Sequence, residues 1–151
     1  MSETSTQPTV TPAARMLLDR SRGSLTQACS SRVTAERYVQ AHLAALRAGV
    51  AVLAGVSNPG QRGVSVWESL SSYVPSLAKW AAYFASTGQR RAAVEAGRTD
   101  TVSAREAHDL LRDAEAFYTW SSPCSVCPTS RCFRRHCRPS KTDPEGETWR
   151  R

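Results

Sequence analysis

An all-α, up-and-down bundle of four to five helices is the fold class this sequence predicts, and three observations carry the expectation. Apolar residues recur at i, i+3, i+4 and i+7 wherever they recur at all. Two Ser-x-x-Glu capping boxes, Ser65 to Glu68 and Ser103 to Glu106, stand at the head of apolar runs. No stretch alternates apolar and polar residues for long enough to suggest a sheet. A chain of 151 residues with 40% hydrophobic content can bury one core, so a single compact domain with tails is expected.

Met1 to Thr11 are rich in Ser, Thr and Pro, carry one acid and no base, and read as a disordered leader over residues 1–11. Thr11-Pro12 supplies an N-cap followed by proline at the first helical position. Ala14, Leu17, Leu18, Ser21, Leu25 and Ala28 then mark a helix from about Pro12 to Cys29. Ser30-Ser31 interrupts it. Thr34 caps a second helix with an apolar seam of Val39, Leu43, Leu46, Val50 and Leu53, ending near Gly55. The apolar stretch Ala41 to Val56 is interrupted by Arg47 and reads as too short to cross a hydrocarbon core, so a cytoplasmic protein with no membrane partner is expected.

Val56 to Gly63 is a loop by turn chemistry. Ser65 opens a third helix through Trp67, Leu70, Val74, Leu77, Ala81 and Phe84, which Pro75 should kink or split because it has no N–H to donate. Gly88 should weaken the continuation, leaving Gln89 to Ala96 as a further turn or two that ends at Gly97. Ser103 caps the last helix, with Ala107, Leu110, Leu111, Ala114, Phe117 and Tyr118 on one face. The bundle is thus placed at residues 12–120, and a basic, Cys-rich tail at 121–151.

Arg37 and His42 form an Arg-x4-His pair on the second helix. At about 100° per residue, His42 lies about 60° from the Val39 seam and Arg37 about 160° from it. His42 is expected to border the core and Arg37 to face outward, so the two would meet only if a second surface closed a groove along that flank. On spacing alone the plain reading is a partly buried histidine and a solvated arginine.

Three stretches carry a resemblance: Ala35 to Ala54; Val66 to Leu70 with Val74 to Ala85; and Val102 to Ala114. Together they resemble the HEPN superfamily, in an actinobacterial branch of small helical proteins. The resemblance implies an up-and-down bundle that commonly dimerises. In nuclease members an Arg-x4-6-His motif cleaves RNA without metal in a cleft between two protomers. Carried over, His42 would be the general acid/base and Arg37 would hold the scissile phosphate. RNA supplies its own 2′-hydroxyl nucleophile, so a proton carrier and charge stabilisation suffice. This chain carries Tyr38 where such members usually place a small polar or acidic residue. Other members are inert and bind nucleic acid, nucleotide or protein. Two readings follow: an endoribonuclease acting across a homodimer, with an antitoxin as a partner of the toxin-like form, or a catalytically inert binding module.

The net charge of +7 is concentrated toward the C-terminus, which suits a polyanion such as RNA. There Cys124, Cys127, Cys132 and Cys137 give C-x2-C-x4-C-x4-C, four thiolates that could close a tetrahedral zinc site. Arg131, Arg134, Arg135 and Arg138 could meet phosphates, and Phe133 could stack a base of single-stranded nucleic acid. No cofactor is expected for the helical domain. Trp67, Trp80, Phe84 and Phe117 fall at core spacing and read as packing.

Overall fold

The computed structural model describes residues 10–56 and 63–122. Most of the expected leader, and the tail from residue 123 on, lie outside the described residues. The described residues form α1 (Pro12–Ser30), α2 (Thr34–Val56), α3 (Val66–Tyr73), α4 (Ala78–Glu95) and α5 (Ala104–Ser121), with short 3-10 turns at Pro75–Leu77 and Thr99–Thr101. Among them there is no strand, and the all-α class is established.

The helix ends follow from local chemistry. Thr11 accepts a hydrogen bond from the Ala14 N–H, with proline at the first turn of α1. Both capping boxes are reciprocal: Ser65 with Glu68 opens α3, and Ser103 with Glu106 opens α5. Pro75 splits the third segment as expected, since α3 stops at Tyr73 and Pro75 starts the turn that leads into α4. Gly88 does not interrupt α4, which runs unbroken to Glu95; one glycine costs only about 1 kcal/mol, and packing against α2 outweighs it. Gly97, at φ +94°, then ends the helix. Its N–H donates to the Val94 carbonyl and that of Arg98 to Ala93, the paired bonds of a Schellman cap.

Helix α2 is the centre of the molecule, packing against α1, α3, α4 and α5. Its buried residues are Tyr38, Ala41, His42, Ala44, Ala45, Ala48, Gly49 and Ala51. These positions centre roughly opposite the Val39 to Leu53 seam at about 100° per residue, so the expected core face is corrected. The seam residues Val39, Leu46 and Leu53 are only partly buried at its margin. Small side chains let neighbouring backbones approach closely: Ser21 on α1 donates to the Ala44 carbonyl at 2.7 Å. By length and apolarity alone α2 could cross a membrane, contrary to the sequence expectation; here it is the core helix of a bundle.

Aromatic rings join the other helices. Trp67 of α3 stacks on Phe84 of α4 with centroids 5.2 Å apart, and Phe84 meets Phe117 of α5 at 5.3 Å. Phe84 and Phe117 are fully buried, Trp67 nearly so, and Trp80 only in part.

Candidate functional site

Arg37 lies in the first turn of α2, just after the chain has left α1. It does not face outward. Its guanidinium folds back over the end of α1, donating from Nε to the Ala28 carbonyl at 3.2 Å and from Nη2 to the Ser31 carbonyl at 2.7 Å. Those are the kind of carbonyls a helix C-terminus leaves without intrahelical partners, and a cation there also opposes the negative end of the helix dipole. Glu36 beside it accepts from Ser31 and Gln27, which lowers its pKa and ties the same turn together.

His42 is deeper than the sequence suggests, with 3% of its surface exposed. Its Nε2 is 3.0 Å from the Phe84 carbonyl, which can only accept, so Nε2 carries the proton. Nδ1 is then bare and accepts from Arg91 at 3.4 Å. Arg91 is itself held by Glu95, one turn on, at 3.2 Å. The Trp67 ring meets the imidazole edge-on at 6.1 Å, and Gly88 of α4 lies beside it. Burial lowers the His42 pKa most; the Phe84 bond opposes that shift, Arg91 adds to it and Glu95 opposes it. A neutral imidazole results.

The two residues of the Arg-x4-His pair are therefore held by different helices: Arg37 by α1, His42 by α4. The arginine that reaches His42 is Arg91, 49 positions away. Nothing local in the sequence marks Arg91, Glu95 or Gly88 as its neighbours. Tyr38, next to Arg37, is buried and its hydroxyl donates to the Thr87 carbonyl at 3.4 Å, a second tie between α2 and α4.

The expected zinc ligands Cys124, Cys127, Cys132 and Cys137, and the expected nucleic-acid contacts Arg131, Phe133, Arg134, Arg135 and Arg138, lie outside the described residues. Among the described residues no group of three or more His, Cys, Asp or Glu side chains is placed to hold a metal ion.

A family model described as SAV_6107-like HEPN matches residues 28–120, from the last turn of α1 to the last turn of α5. No curated protein and no solved structure matches the chain.

Proposed function

The chain belongs to the SAV_6107-like HEPN family, and from that premise we propose that it is a catalytically inert helical module that works by binding a protein partner. The observation that supports this reading is the commitment of both motif side chains. Cleavage at a 2′-hydroxyl needs a proton carrier with an accessible ring nitrogen and a cation free to hold the phosphate. Both His42 ring nitrogens have partners inside the bundle, and Arg37 spends two of its donors on the end of α1. A ribonuclease acting in a homodimer cleft is the competing reading. It would require His42 to leave its seat under Trp67 and Arg37 to uncap α1 in the same step.

The deciding assay incubates the purified protein with mixed single-stranded RNA in excess chelator, beside His42→Ala prepared identically. The expected outcome is no cleavage above background, or equal cleavage by both proteins. Cleavage by the wild type that vanishes in a folded His42→Ala variant would sink the inert reading and favour metal-independent catalysis.

A further inference from the structure

An open groove of about 350 Å3 is lined by Lys79, Trp80 and Tyr83 from α4 and Asp113 from α5. Trp80 and Tyr83 are both half-buried. The core holds them from behind: Trp80 stacks on Phe84 at 5.7 Å, and Tyr83 meets Phe84 edge-on at 5.1 Å. Asp113 stands on the opposite wall. Its carboxylate acts on the Tyr83 hydroxyl, as does that of Asp109 one turn earlier on α5, which lies 4.0 Å from Arg105. Burial first, then these carboxylates, keep that phenol protonated well above its ordinary range. The lining holds one cation, Lys79, which is exposed, while Arg90 farther along α4 is committed to Glu106 across the helix pair.

We propose that this groove is the docking point for an arginine side chain of a partner protein. The proposal rests on the protein-binding reading above and gives it a location and a chemistry. A guanidinium is flat enough to stack on Trp80 or Tyr83, and its forked donors suit the Asp113 carboxylate. An ammonium is more strongly hydrated and does not stack, so lysine fits less well. A phosphate would meet the Asp113 carboxylate at the aromatic wall, with Lys79 the one cation of the lining, so a nucleic-acid strand gains less there than a guanidinium does. The volume lies near the lower end for ligand sites and suits one long side chain.

The test is a heteronuclear NMR titration of the full chain, followed at the Trp80 indole N–H. The probe is the capped tripeptide Gly-Arg-Gly, taken into the millimolar range, with Gly-Lys-Gly beside it. Saturable movement of Trp80 is expected, several-fold tighter for the arginine peptide. Asp113→Asn should weaken it by about tenfold, since a charge-assisted pair becomes a neutral one. Lys79→Glu, at an exposed position, should strengthen it, which keeps the proposal testable should Asp113→Asn fail to fold. A Trp80 signal that does not move, equal response to both peptides, or no effect of either variant overturns the proposal. So does a short single-stranded RNA that moves Trp80 and binds tighter to Asp113→Asn. His42-dependent RNA cleavage would defeat the inert reading without altering the arginine titration, so the two failures are separable.

Discussion

A histidine in a helical core must offer its polar edges to partners or lose more from burial than its ring gains in packing. His42 does so with a carbonyl on one nitrogen and a guanidinium on the other, an arrangement that suits only the neutral form. The pH consequence has a definite sign. Its pKa in the folded protein is lowered from 6.5, so in the interval below 6.5 the unfolded chain binds a proton that the folded chain refuses. Stability is therefore full above that value and falls as the pH drops through it. Urea unfolding at about pH 7.5 and about pH 5.5 should show the midpoint dropping on acidification, and His42→Gln should flatten the drop. An equal drop in the variant would assign the effect to other groups. The histidine itself was legible in the sequence as a core-bordering residue. Its partners were not, because they come from a helix more than 40 positions away and depend on how that helix docks. Arg37 was misread for a related reason. The helical wheel reports where a side chain points relative to its own helix, while the end of α1 supplied the acceptors.

At the scale of the element, α4 tolerates a glycine that the sequence suggests should weaken it. A Cβ built at Gly88 would lie 3.7 Å from His42 Nε2, an ordinary contact, so the position gains little from being glycine. Gly88→Ala should stabilise the protein by about 0.5–1 kcal/mol through helix propensity, read as a rise in Tm in thermal unfolding. Gly49 in α2 is a control of opposite kind. There a Cβ would approach the Trp67 ring to 3.3 Å, and that ring is held by Phe84 behind it. Gly49→Ala should show no such gain, and equal rises at both sites would refute the packing argument. The ends of α1, α3 and α5 were legible because caps and proline act within a single turn. The buried face of α2 was not. Large aliphatic residues form its most conspicuous stripe, yet in a helix surrounded by four others the alanines permit the closest approach.

Over the whole molecule, one aromatic cluster couples α3, α4 and α5 to the side of α2 that carries His42. Phe117 is fully buried within it, so Phe117→Ala should cost about 3–5 kcal/mol, measured as a fall in the urea midpoint. For a domain whose total stability is of the order of 5–15 kcal/mol, that is a large fraction. A loss below about 1 kcal/mol would mean that the cluster does not hold the helices together. The sequence by itself determined the all-α class, the helix starts at Pro12, Val66 and Ala104, the break at Pro75 and the HEPN kinship. Each structural part of that list depends on hydrogen bonds and steric limits within about one helical turn, and such terms are written in neighbouring residues. Only the tertiary structure decided which side of α2 is buried, that Arg37 closes α1, that Arg91 reaches His42, and that Trp80 and Tyr83 line a groove walled by Asp113. Those outcomes are set by how helices dock. Docking joins residues tens of positions apart, and periodicity along one helix carries no record of the direction from which its neighbours arrive.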